Sequence, residues 1–177
     1  MKTITRLLST LALCALTIHT AQAFDLGKYT NKANEAISGG STGSSQLLSL
    51  GTNLLKSFQG NEQATNAAKG LIKSFNAEHD LGVFNYYDQI KAAGLKPSQV
   101  QTWNDVKNPL SAIILERNFD FKESGLSDLV SKASGALQNN DSTSASNYLG
   151  QLKDAASLTS GQQLLLQKIQ SNLFPVK

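Results

Sequence analysis

From Leu47 onward the chain places apolar residues three and four apart. Leu47, Leu48, Leu50, Leu54, Leu55 and Phe58 make the first stripe, and Gly60-Asn61 stops it. An α-helix returns to one face every 3.6 residues, so this spacing predicts a helix with one buried side. Ala64, Ala67, Ala68, Leu71, Ile72 and Phe75 predict a second helix. Val83, Tyr86, Tyr87, Ile90 and Ala93 predict a third, ended by Gly94. Pro97 suits the first turn of a fourth through Val100, Trp103 and Val106, because its missing N–H has no helical partner there anyway. Asn108-Pro109 predicts a restart into a short helix with Leu110, Ile113 and Ile114, although Ile113 to Leu115 also fit a strand. After Asn118-Phe119-Asp120-Phe121, three further helices are expected: Leu126 to Leu137, Ala145 to Ala155 and Gln162 to Leu173. Asp141 and Thr159 stand where N-caps belong. The sequence holds no convincing alternating strand pair and no Asn-Gly or Asp-Gly hairpin turn. The expected fold class is all-α, a small bundle or a short stack of helical hairpins.

Ahead of this body the pattern is thin. Phe24 to Ser38 is polar with scattered apolar residues, and Gly39-Gly40-Ser41-Thr42-Gly43-Ser44-Ser45 follows. A Gly/Ser run favours a flexible coil, so residues 24–45 are expected to be an arm tethered to a single helical domain over 46–177.

The body also repeats itself imperfectly, over about 47–110 and 126–173. Asn85-Tyr86-Tyr87-Asp88-Gln89-Ile90-Lys91 parallels Asn147-Tyr148-Leu149-Gly150-Gln151-Leu152-Lys153. With one gap, Gln99 then falls on Gln162, Val106 on Ile169 and Leu110 on Leu173. Upstream, Phe58-Gln59-Gly60-Asn61-Glu62 parallels Leu137-Gln138-Asn139-Asn140-Asp141 at a larger shift, 79 instead of 62 or 63. The difference predicts an insertion in the first copy near Phe75 to Phe84, projecting as a loop. The order of apolar helix, Gly-Asn-acid turn and Ala-rich helix loosely resembles tetratricopeptide-type repeats. That family's Trp and Gly-Tyr positions are absent and the unit length varies, so the chain is assigned to no family.

The first residues change the charge picture. Lys2 and Arg6 precede an apolar run from Leu7 to Ile18, and Ala21-Gln22-Ala23 ends the segment with the small-x-small pattern of a signal-peptidase site. The run is about 12 residues, short of the roughly 20 that span a bilayer. Residues 1–23 are therefore expected to be a signal peptide cleaved after Ala23, with export to the periplasm or medium. The whole chain carries 16 Lys plus Arg against 13 Asp plus Glu; without Lys2 and Arg6 the balance is 14 against 13. Such a near-neutral chain, with no basic run, argues against nucleic-acid binding. Cys14, the single cysteine, lies in the leader, and Leu13 before it is not the small residue that lipid anchoring requires. The mature chain thus has no disulfide and no thiolate chemistry, and the missing bridges lean towards a bacterial compartment.

Reactive groups are scarce. Gly39-Gly40-Ser41-Thr42-Gly43 matches the hydrolase pattern G-x-S-x-G, but no strand precedes the serine to strain it into an elbow. His79 is the sole imidazole after the leader, which leaves no basis for a multi-histidine metal site. A relay through Glu78-His79-Asp80 would still need a placed nucleophile and an oxyanion hole; Asp80 capping the helix from Leu81 is the simpler expectation. Glu116, Asp120 and Glu123 cluster without spacing that selects an active site. No metal or cofactor is expected.

The leading expectation is a non-catalytic exported module that binds a protein or peptide. Its candidate binding residues are Glu78, His79, Asp80 and Phe84 in the inserted segment, with Phe119 and Phe121 in the connector. A carrier of a small apolar ligand is the alternative and predicts an apolar internal cavity. A carboxylate-dependent hydrolase ranks below it and predicts two convergent acids.

Overall fold

The computed structural model describes residues 42–122 and 124–175, without the side chains of residues 42–48 and 124. The expected leader, Cys14, the cleavage point after Ala23, Ser41 and the arm as far as residue 41 lie outside the described residues.

Seven helices and no strand occur among the described residues: α1 (Thr42–Ser57), α2 (Glu62–Asn76), α3 (Asp80–Ala92), α4 (Pro97–Asn118), α5 (Ser124–Gln138), α6 (Ser142–Ala155) and α7 (Ser160–Asn172). The all-α expectation holds. Helix α1 begins inside the Gly/Ser run, earlier than the expected boundary after Ser45.

The turns follow local chemistry. Gly60 closes α1 with φ +82°, a left-handed conformation that costs a glycine little. Asn61 then caps α2, its side chain accepting from Ala64 N at 3.0 Å. Asp141 caps α6 through Ser144 N at 3.0 Å. Thr159 and Gln162 form a reciprocal capping box at α7. Two helix ends are Schellman closures on residues other than glycine. Glu78 (φ +54°) follows α2, with His79 N donating to Ser74 O; Asn140 (φ +55°) follows α5, with Asp141 N donating to Ala136 O.

Two sequence readings need correction. Asn108-Pro109 does not restart a helix, since α4 runs unbroken from Pro97 to Asn118. Proline removes one helical hydrogen bond and crowds the preceding turn. Here that cost is offset by burial on both sides of it, at Val106, Leu110, Ala112, Ile114 and Leu115. Nor does the segment Phe75 to Phe84 project as a loop. It is the end of α2, the tight turn at Glu78 and the first residues of α3. The parallel of 58–62 with 137–141 sets the α1–α2 turn against the α5–α6 turn, whereas that of 85–91 with 147–153 sets α3 against α6. The larger shift is therefore one additional helix with its turn in the first half.

Helix α4 is the spine. It packs against α1, α5 and α7, while α2 with α3 and α5 with α6 form antiparallel hairpins at its sides. Gly70 brings α2 close to α3: a Cβ there would lie 2.2 Å from Tyr86 Cε1. The centre is aromatic. Tyr87 meets Phe84 with ring centroids 5.0 Å apart and Trp103 at 4.7 Å, both edge-on, and all three are fully buried. Tyr87 Oη donates to the Lys107 carbonyl at 2.8 Å and lies 3.3 Å from Ser111 Oγ. Burial holds its hydroxyl far above the ordinary tyrosine range, against a smaller opposing effect of the Ser111 contact.

Candidate functional site

Glu78 and His79 are exposed in the α2–α3 turn. His79 occupies the N-cap position of α3 without a side-chain capping bond, and its ring lies over Gly82, where a Cβ would come within 2.7 Å of Nδ1. Asp80 does not cap the helix as expected. It is buried as the first residue of α3, ion-paired with Arg117. Arg117 Nε donates to Asp80 Oδ2 at 2.8 Å and Asn118 Nδ2 to the same oxygen at 2.6 Å. The guanidinium also lies 4.3 Å from the Phe75 ring centroid and donates to the Phe75 carbonyl at 3.3 Å. These bonds lock the α2–α3 turn to the end of α4.

Phe119 follows at that end, so Glu78, His79, Asp80 and Phe119 share one end of the bundle. Phe84 is instead drawn into the aromatic centre. Phe84 and Phe119 are core side chains, with no ring face available to a partner. Phe121 is half-buried against Phe119, ring centroids 6.1 Å apart. The expectation of a surface cluster of aromatic anchors thus fails at Phe84 and Phe119 for a packing reason: both fill the helical interior.

A different region of the surface is concave. One cleft, about 380 Å³, lies between α1 and α4, lined by Leu50, Asn53, Lys56, Thr102, Asp105 and Val106. A second, about 200 Å³, lies where α4 meets the α5–α6 turn and the end of α7. Gln101, Asn104, Asn140 and Ser142 give it polar walls, with Leu173 and Pro175 beside them. Phe174, between those two, is 61 % exposed. Asp105 borders both clefts.

Lys107 lies beneath the second cleft and is 1 % exposed. Its ammonium donates to Asn108 Oδ1 at 3.2 Å, to Leu173 O at 2.9 Å and to Asn172 O. Asn108 Nδ2 (3.3 Å) and Ser142 Oγ (2.7 Å) donate to the same Leu173 carbonyl. A helix end exposes carbonyls that lack partners, and a cation is favoured there. Lys107 fills that role for α7. Burial, and secondarily the charge of Lys91, lower its pKa to about 8.

Among the described residues no group of three or more His, Cys, Asp and Glu is arranged to hold a metal ion. No helix among them is long and apolar enough to cross a membrane. Among the described residues each cleft is bordered by one carboxylate, that of Asp105. None of the six residues singled out from sequence lines either cleft. In sequence Gln101, Asn104 and Asp105 look like any solvated helix face, and concavity arises only when α1 and α7 pack beside them. No protein-family model, curated protein or solved structure matches this chain.

Proposed function

We propose that this chain is an exported, non-catalytic helical module that holds a protein or peptide against the outer face of α4. The observation that carries the reading is the pair of open clefts flanking Asp105, with carboxamide and hydroxyl side chains in their walls and the exposed Phe174 between two residues that line the second. A peptide backbone alternates N–H and C=O groups, and carboxamides answer both. An exposed aromatic residue at the rim offers the kind of anchor that dominates binding energy at protein interfaces. Of the two amines at the clefts, Lys56 lines the first, and Lys107, beneath the second, is committed to the end of α7. A carrier would use an apolar interior, yet the space between these helices is taken by Tyr87, Trp103, Phe84 and Phe58. Export rests on the charge, apolar run and Ala-Gln-Ala ending of residues 1–23.

Two measurements test this. Exported protein should begin at Phe24, and a chain that retains Met1 or carries an acyl group on Cys14 contradicts export by this route. Peptides selected from a displayed library on the purified chain should lose about tenfold in affinity on Phe174→Ala. Unchanged affinity removes the α4 margin as the binding surface.

A further inference from the structure

The two halves of the body follow one register. Helices α2, α3 and α4 begin at residues 62, 80 and 97, and α5, α6 and α7 at 124, 142 and 160, a shift of 62 or 63 throughout. The bonding repeats with it. Gln99 Oε1 accepts from Lys96 N at 3.1 Å, while its Nε2 donates at 3.0 Å to Ser57 O at the end of α1. Gln162, 63 residues on, accepts from Thr159 N at 3.0 Å and donates at 3.1 Å to Asn118 O at the end of α4. Helix α1 therefore stands to α4 as α4 stands to α7, each the closing helix of a unit.

Within that order α3 has a fixed place. It meets α4 through the rings of Tyr87 and Trp103, and it packs on α7, where Lys91 Nζ donates to Asn172 Oδ1. One step back along the repeat, the corresponding place lies between α1 and α4. There the larger cleft opens, about 380 Å³, with Leu50, Asn53 and Lys56 on one wall and Thr102, Asp105 and Val106 on the other. The sequence holds a segment to match it. Asp25-Leu26-Gly27 repeats Asp80-Leu81-Gly82 at the start of α3, and Gly39 repeats Gly94 beyond its end, each 55 residues earlier. The same shift carries Thr42, the first residue of α1, onto Pro97, the first of α4. Leu26, Tyr29, Ala33 and Ile37 recur three and four apart, the spacing of a one-sided apolar helix face.

We propose that residues 25–38 fill the cleft between α1 and α4 as an amphipathic helix, the counterpart of α3. Docking of a helix into a groove uses apolar anchors at this spacing. Leu26 and Tyr29 supply them for Leu50 and Val106, and Lys32 and Glu35 carry charges opposite to those of Asp105 and Lys56 on the walls. The proposal stands apart from the peptide-binding reading, for which the second cleft remains.

The test is the solution spectrum of the isotope-labelled chain from Phe24 to Lys177, with no peptide added. Carbon shifts over residues 25–38 should be helical, and the Tyr29 ring should show nuclear Overhauser contacts to the Leu50 and Val106 methyls. Amide exchange in the segment should be slowed at least about tenfold relative to a free peptide of the same residues. Tyr29→Asp should remove that protection and leave α2 to α7 unchanged. Random-coil shifts over 25–38, a helix that touches neither α1 nor α4, or protection indifferent to Tyr29→Asp overturns the proposal and leaves the peptide-binding reading standing. Contacts that vanish on dilution belong to a second copy of the chain and overturn it as well.

Discussion

Arg117 closes its guanidinium on the carboxylate of Asp80, 37 residues earlier in the chain, and ties the α2–α3 turn to the end of the central helix. The pair is asymmetric, because the Asp80 side chain is 8 % exposed and that of Arg117 25 %. Removing the cation strands a buried charge, whereas removing the anion leaves an arginine that can reach water. Arg117→Ala should cost about 3 kcal/mol and Asp80→Ala about half as much. Urea unfolding of both variants and of the double variant checks this. Equal costs would mean that the pair is effectively solvated.

Lys107 gives the fold a pH dependence of calculable sign. In the unfolded chain its amine keeps a proton to about pH 10.5, in the folded chain only to about 8. Between those values the unfolded state binds more protons, so stability rises with pH. Tyr87 acts in the opposite direction above about pH 10, because burial keeps it protonated only in the folded chain. Unfolding free energy should therefore increase by about 1–3 kcal/mol from pH 7 to 9.5 and flatten or fall beyond. Lys107→Met should abolish the rise. A flat profile in the parent chain would show that its three acceptors outweigh burial.

Glu78 and Asn140 occupy the same left-handed position in two Schellman turns. Asparagine tolerates that conformation better than glutamate does. Glu78→Gly should therefore raise stability by about 0.5–1 kcal/mol, and Asn140→Gly by less. Calorimetric midpoints decide the order, and a destabilised Glu78→Gly would assign the carboxylate a supporting role near Arg117.

Glycines on the helices divide by what stands over them. A Cβ at Gly70 would collide with the half-buried Tyr86 ring, whereas Gly135 and Gly150 have nothing within 4 Å. Gly70→Ala should cost about 1–3 kcal/mol. Gly150→Ala should gain up to about 1 kcal/mol from helix propensity alone. Thermal denaturation of the two variants should shift in opposite directions.

What the sequence discloses follows from how local each cause is. The helices are legible because 3.6-residue spacing is written in neighbouring side chains, and Asp141 and Thr159 are legible because capping is a matter of three residues. The continuity of α4 through Pro109 is not, since it depends on burial against helices distant in the chain. The turn at Glu78 is hidden because no glycine marks it. The roles of Phe84 and Phe119 are hidden for a related reason: an anchor and a core side chain look alike in sequence, and packing places both in the core. Asp105 carries no local mark, because an aspartate on a polar helix face is ordinary until clefts form on both sides of it.

The central claim is that recognition lies on the face of α4 around Asp105 and not at the turn holding Glu78 and His79. Asp105 and Arg117 are 12 residues apart on α4, about 18 Å along a helix, so the two locations are easily resolved. Amide chemical shifts of the labelled chain, titrated with a selected peptide, test it most directly. The account predicts perturbations at Gln101, Asn104 and Asp105, at Asn140, and at Leu173 and Phe174. Perturbations centred on Glu78, His79 and Phe121, with the α4 face unmoved, would contradict it.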